Sequence, residues 1–591
     1  MEGKPASKRH RTARAFDRTG AAECRCWFTG LVRFDVEGGA VIRFFPGRAG
    51  EASRASLTAC LGLGISLSAY AVSAAAHATG TVAAPSRPAG VVPVTTCADD
   101  DGGGTLRSII GTAVSGDTVD LRGLDCDTIV LQNGQIEIAV DALVIVGADR
   151  DALTIDGAEA GRIFLHGGDG TLTLQALTLT RGRVIDGNGG CVASPHGSIA
   201  LVDAAVAGCG AHDASGQSAY AGGGGLYAAR DIRLLRSAVS DNTASADTAR
   251  AIGGGGLLTR FGADGKPGNV EVSASTITGN RVLSADTGSD VSVLGGGIDS
   301  SGTVTLTRSL VADNSVASAA SDDEYESITE GGGVHSFGLS VLESTFSGNR
   351  VENSGGAMDV AGGAIAVRGT ARIVGSTIEH NHAGILAGGV AQHGGVPGVS
   401  RLDIANSTVS HNTAGFYGAG LVIIDGLRMT HSTVAFNAVD ETSPFGIGGI
   451  LIGSNETTGA YAIHSSIVAN NQAGAEAMLG TDLSLFLSEV PVTIIGDHNL
   501  VGESSGLVLP EDTLGGDPLL LPLADYGGPT RTHALAAGSP AIDAGDNAAG
   551  LTSDQRGGLH LRTFGAAADI GAFEVQPSPD VIFRSSFDPA E

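Results

Sequence analysis

One spacing recurs so often in this chain that it limits what the chain can become. Segments beginning at Ser237, Ser275, Ser309, Ser344, Ser376, Ser407, Ser432 and Ser465 each carry a bulky apolar residue two positions on (Val239, Ile277, Val311, Phe346, Ile378, Val409, Val434 and Ile467). Five positions on stands Asn242, Asn280, Asn314, Asn349, Asn381, Asn412, Asn437 or Asn470. Consecutive Asn residues lie 25 to 38 positions apart. Self-similarity at such a period marks a solenoid, in which each unit buries its apolar side only against its neighbours.

The residue types say what each unit is. Before most Ser residues lies a Gly run and an apolar residue, as in Gly253 to Leu257, Gly295 to Ile298 and Gly331 to Val334. An alternating stretch such as Val304-Thr305-Leu306-Thr307 follows, so each unit offers about three short strands with corners between them. Gly allows the positive φ of a sharp corner, and a recurrent Ser or Asn can hydrogen-bond the corner backbone of the next turn. The expected fold is all-β, a right-handed single-stranded parallel β-helix. At the inter-strand spacing of about 4.8 Å, a dozen or so coils make a rod roughly 60 Å long. The Asn row is structural in this reading. A degenerate ninth copy, Ala204 to Cys209, puts Cys209 in the Asn slot.

Composition agrees. The 591 residues include 91 Gly, 4% aromatics and 17% charged residues, which suits short strands and tight corners rather than large helices. The formal net charge is −28. Residues 1–78 hold 11 of the basic and 6 of the acidic residues, which leaves 24 against 57 in the remainder, a net of −33. That surface is unsuited to nucleic acid or to anionic lipid heads.

Arg48 and Arg54, the apolar run Leu57 to Val72 and the small-x-small site Ala76-His77-Ala78 read as a secretory signal, with translation expected to begin nearer Val41. No later stretch is apolar enough to span a bilayer. Four of the seven cysteines then remain, an even number suited to an exported chain. The expected disulfides are Cys97–Cys126, stapling the N-terminal cap, and Cys191–Cys209, within one coil. No Cys-x-x-Cys pair favours a metal instead.

The Gly-Gly-Ala-Ile type runs and Asn-ended strands, over roughly 95–480, resemble the repeats of right-handed β-helix proteins, including the polymorphic outer-membrane protein family. Further on the character changes: Gly516-Asp517-Pro518, Asp525-Tyr526-Gly527-Gly528-Pro529-Thr530, Thr532-His533-Ala534-Leu535, Gly538-Ser539-Pro540-Ala541-Ile542-Asp543, Asp554-Gln555-Arg556-Gly557 and Asp569-Ile570-Gly571-Ala572-Phe573-Glu574. This series is similar to the choice-of-anchor Q domain, and the resemblance implies secretion or surface display. The expected organisation is a leader and signal over 1–78, an N-terminal cap over 79–130, coils over 131–497, the small β-rich C-terminal domain over 498–575 and a tail over 576–591.

Function is far less constrained. Insertions concentrate between each Asn and the next Gly run (243–252, 281–294, 315–330 and 350–361), so they project from one edge, the usual binding face of a solenoid. The most acidic, Asp322-Asp323-Glu324-Tyr325-Glu326, is the candidate binding segment, for Ca²⁺ through its oxygens or for a sugar through Tyr325, against the plainer reading of a solvated loop. Other candidate sugar-contacting aromatics are Tyr220, Tyr227, Phe416 and Tyr417.

Hydrolysis would need paired carboxylates, and the Asn-Thr-Asp and Arg-Ile-Lys marks of β-helix pectin hydrolases are missing. His166-Gly, His196-Gly and His393-Gly stand without sequence partners, Lys266 is the one lysine after the signal, and the Arg residues are scattered. His533, Ser539 and Asp543 have the types of a hydrolase triad but no nucleophile elbow, and are read as turn residues. The expectation is an exported or surface-displayed interaction protein with no catalytic residue assigned. Its partner is a polysaccharide or another cell-surface protein. A polysaccharide lyase or hydrolase with an unfamiliar acidic site, and a structural envelope component, are the alternatives. Converging carboxylates would favour the enzyme, and a row of exposed aromatics would favour sugar binding.

Overall fold

The computed structural model describes residues 87–216, 220–288, 290–321, 327–395, 399–440, 443, 446–453, 461–474, 481–486 and 492–576. The leader and signal, the acidic stretch Asp322 to Glu326 and the tail from 577 on lie outside them.

The coils are parallel throughout. Each coil contributes up to five short strands rather than three. The unit after the Asn242 corner shows why: Leu257–Thr259, Val270–Ser273, Thr276–Thr278, Arg281–Ser284 and Ser292–Leu294 follow in order. Each pairs in register with its counterpart one coil on. The stretches read from sequence as insertions thus begin and end in strands. The strands between the Ser and Asn corners stack into a thirteen-stranded sheet.

The interior is a set of apolar stacks. Leu226, Leu257, Ile298, Val334, Ile365, Val390, Leu421, Ile450 and Leu483 follow one another in register, all fully buried. Val206, Val239, Ile277, Val311, Phe346, Ile378, Val409, Val434 and Val468 form another. Burying each such side chain stabilises by about 1.5–3 kcal/mol. At the N-terminal end, helix Leu106–Gly111 adds Leu106 and Ile110 to the same core. Thr105 caps it, accepting from the Ser108 amide at 3.1 Å.

The corners carry two side-chain ladders. Each ladder Asn accepts at Oδ1 from the backbone N–H and the Nδ2 of its predecessor, as Asn349 does from Asn314 (3.2 and 3.0 Å) and Asn381 from Asn349 (2.9 and 2.8 Å). A Ser row does the same with its hydroxyls, Ser309 Oγ accepting from the Ser275 amide and Ser344 Oγ from the Ser309 amide. Cys209 does occupy the Asn slot, its amide donating to Asn242 Oδ1 at 2.9 Å. The residue before each ladder position is left-handed, for example Asp241 at φ 55° and Arg308 at φ 48°. The last repeat is shifted by one from the expected register. Ser466 and Asn471 stand in the ladders, Ser465 and Asn470 are the left-handed residues before them, and Val468 rather than Ile467 points inward. Disulfides join Cys97 to Cys126 and Cys191 to Cys209.

The C-terminal region folds back along the flank of the thirteen-stranded sheet, over its outward Thr and Ser residues. Thr408 Oγ1 meets Thr532 Oγ1 at 2.9 Å and donates to Gln555 Oε1 at 2.6 Å. His533 Nε2 lies 2.8 Å from Ser410 Oγ. Ile467 and Leu500 of the coils pack with Leu535, Ala541 and Ile570. A fully buried Arg562–Glu574 pair at 2.8 Å braces the region from inside. Thr530, Thr532 and Gln555 of the C-terminal motifs are therefore docking residues, and Arg562 braces the region.

Candidate functional site

Outside the main core, a seam runs between the strand that precedes each Gly run and the strand that follows it. Over its C-terminal half this seam is apolar: Ala391, Val422 and Leu451 from one side meet Ala361, Leu386, Tyr417 and Ile447 from the other. Two coils earlier the same columns hold Asp299 and His335 against Glu330. Strand alternation turns Ile298 inward and Asp299 into the seam.

The ionisable groups there contact one another. Asp299 Oδ1 lies 2.7 Å from His335 Nδ1, and Asp299 Oδ2 accepts from the Tyr220 hydroxyl. The Arg260 guanidinium stacks over the Tyr220 ring at 3.7 Å. His335 Nε2 is 3.7 Å from Glu330 Oε2, which also pairs with Arg368 at 3.3 Å, and Glu330 Oε1 lies 2.9 Å from His393 Nε2. Asp299 and Glu330 are buried, at 1% and 0% exposure, while the Arg368 and His393 side chains reach solvent at 33% and 23%.

Burial alone would raise both carboxyls. His335, Arg260 and Tyr220 outweigh it at Asp299, and His393, Arg368 and His335 outweigh it at Glu330, so both are held below the usual carboxylate range. Glu330 in turn raises Arg368, and it raises His393 against the lowering effect of burial. Burial, with the Asp299 charge next to it, pushes the Tyr220 hydroxyl far up, so it stays a donor. His335 Nε2 makes no hydrogen bond among the described residues. What solvent meets is therefore an Arg and a His, both held from beneath by the Glu330 carboxylate.

Most of this was invisible in the sequence. His393 was read as a chance His-Gly, yet it has a partner, Glu330. Arg260 and Arg368 were counted among scattered arginines, yet they converge. The signal was the column: aligned coils place Leu258, Asp299, His335, Ala366, Ala391, Val422 and Leu451 in one row, where an acid and a base stand out. Of the candidate aromatics, Tyr220 joins the cluster, Phe416 and Tyr417 pack with each other and Tyr417 with Phe486, and Tyr325 lies outside the described residues. They form no row. His533, Ser539 and Asp543 do not meet as a triad, since Ser539 donates to Pro518 O and Asp543 accepts from the Ala566 and Ala567 amides. His166 is a satisfied core histidine, bonded to Ser194 and to the Val140 and Asp141 carbonyls.

A cleft of about 550 Å³ lies elsewhere, between Arg308, Glu343 and Glu379 of the sheet flank and Pro529 and Arg531 of the C-terminal region. It shares no residue with the cluster.

No family model matches the chain, and no curated protein matches it. Among solved structures, the crystal structure of pectate lyase Pel9A is similar over 82% of this chain and 96% of that chain, at 12% identity and a TM-score of 0.32. That likeness is too slight to carry an argument about chemistry.

Proposed function

We propose that this is an exported β-helix protein that engages a polysaccharide at the looped edge, through the cluster of Tyr220, Asp299, Glu330, His335, Arg368 and His393. The observation that carries the reading is the cluster itself: outward-facing donors, Arg368 and His393, fixed by a buried Glu330. Such donors suit the hydroxyl and carboxylate oxygens of sugars. Export is supported by the secretory-type segment at Leu57 to Val72, by the two disulfides and by the resemblance of the C-terminal motifs to the choice-of-anchor Q domain. Among the described residues no helix is long and apolar enough to cross a membrane.

A second reading, cleavage, is favoured by one observation. His335 has its Nδ1 on a buried carboxylate and its Nε2 without a hydrogen bond among the described residues, 3.7 Å from Glu330 Oε2, so a shift of Glu330 would leave an oriented imidazole base, with Tyr220 as a hydroxyl donor close by. The test is to incubate residues 79–591 with neutral and uronate-containing polysaccharides, following binding, new reducing ends and unsaturated-product absorbance. Binding that Arg368→Gln weakens supports the first reading, and cleavage that His335→Gln abolishes supports the second. Neither binding nor cleavage of any polymer overturns both.

A further inference from the structure

Besides the sheet flank, the C-terminal region meets the coils along a column of corners, the left-handed residues that precede the Ser ladder: Gly375, Asn406, His431, Ser465 and His498. Several rungs of this seam are hydrogen-bonded. Thr530 Oγ1 donates to Gly375 O at 3.0 Å, Asn406 Nδ2 to Ser553 O at 2.7 Å, and Ser465 exchanges two bonds with the Asp546 backbone at 2.8 and 2.9 Å. At the last rung, that of His498, ligand atoms of Asp497, His498 and Asp546 all lie within 4.8 Å of one another.

Those three groups are arranged as ligands are. The Nδ1 of His498 is shielded from solvent and makes no hydrogen bond among the described residues. It lies 3.8 Å from Asp497 Oδ1 and 3.5 Å from Asp512 Oδ2, near the edge length of a metal coordination shell. Asp497 is oriented from behind by His464 Nδ1 at 3.0 Å, and the His498 backbone is fixed by its N–H to Asp512 at 2.9 Å, both contacts of the kind that position metal ligands. Asp546 binds Ser465 through its backbone alone, which leaves its carboxylate directed at the cluster. Carboxylates converging on one imidazole repel one another unless a cation joins them.

We propose that Asp497, His498 and Asp546 bind a divalent cation of the zinc class, which clasps the C-terminal region to the last coil. Mixed imidazole and carboxylate donors suit Zn²⁺ and its first-row neighbours, whereas Ca²⁺ and Mg²⁺ prefer oxygen alone. The site is unconnected with the Asp299 cluster and independent of the polysaccharide reading.

The test uses the full exported chain after chelator treatment and dialysis, titrated calorimetrically with ZnCl₂ and, separately, with CaCl₂. The expected result is one saturable Zn²⁺ equivalent, little heat from Ca²⁺, and slower protease cleavage within 515–576 when Zn²⁺ is present. Asp546→Asn keeps the backbone contacts with Ser465, so the region still docks; it and His498→Gln should each weaken Zn²⁺ binding about 10–100-fold and abolish the protection. No saturable Zn²⁺ binding, or binding and protection unchanged in both variants, overturns the proposal.

Discussion

The imidazole Nδ1 of His335 lies 2.7 Å from Oδ1 of Asp299, in successive coils of the solenoid and 36 residues apart in the chain. The second Asp299 oxygen is held by Tyr220, so the carboxylate has one orientation and the imidazole inherits it. Asp299→Asn keeps the shape and removes the charge that orients and supports His335. Binding of the polysaccharide found in the panel, or its cleavage, should fall at least about tenfold, a loss of roughly 1.4 kcal/mol. The circular dichroism of the β-helix should not change. Full activity in that variant would place the site elsewhere.

Glu330 faces His335, Arg368 and His393 from a fully buried position. Its carboxyl is held below its ordinary value, so its contribution to stability is complete above the unfolded carboxyl value near 4.5 and is lost as pH falls through the lower folded value. Glu330→Gln leaves two cations without their shared anion. Because Arg368 and His393 are partly solvated, the cost should sit at the low end for a broken buried pair, about 3 kcal/mol. Urea unfolding of the two proteins at pH 7 measures it. The gap should narrow toward pH 3, and a gap that widens instead would mean that Glu330 is not ionised in the fold.

Asn349 sits mid-ladder, where its Oδ1 accepts from the Asn314 amide and Nδ2, and its own Nδ2 reaches Val311 O and Asn381 Oδ1. Asn349→Ala strands two buried donors on Asn314, each worth about 1–3 kcal/mol. Chemical denaturation should show a loss of about 2–6 kcal/mol on that basis, and hydrogen exchange should speed up first at the 309–353 coils. Asn349→Asp restores the acceptor for Asn314 but buries a charge and no longer donates to Val311 O or Asn381 Oδ1, so it should recover only part of the loss.

The ladders were legible because Ser, the apolar residue and Asn keep a fixed spacing whatever happens between coils. Their failure at the last coil has a physical cause. Ser465-Ser466 and Asn470-Asn471 offer two registers of equal local merit, and burial of Ile467 under the C-terminal region removes the polarity that normally marks an outward position. The extra strands, such as Thr243–Ala246 and Ala251–Gly253, were taken into the insertions because alternation over three or four residues is a weak signal. The Asp299 cluster was illegible for another reason. Its members come from six coils separated by loops of unequal length, so only the pairing register reveals that Glu330 and His393, 63 residues apart, face one another. The docking role of the C-terminal motifs could not be read either, since the partner surface is a row of ordinary Thr and Ser residues on distant coils.

His533 decides how that docking responds to acid. Its Nε2 meets Ser410 of the coils and its Nδ1 the Leu521 carbonyl, and burial lowers it to about 4. The folded state therefore holds His533 neutral, while the undocked chain protonates it near the ordinary value of about 6.5. A base lowered in the folded state favours docking fully above that ordinary value, and the advantage declines as pH falls from about 6.5 toward about 4. His431, buried behind the same region and lowered to about 3, adds in the same sense. Limited proteolysis within 515–576 should accordingly accelerate between pH 6.5 and 4 while the coils remain intact. His533→Gln, which can still bond Ser410 but cannot take a proton, should flatten that dependence. An acid response unchanged by His533→Gln would assign it to His431.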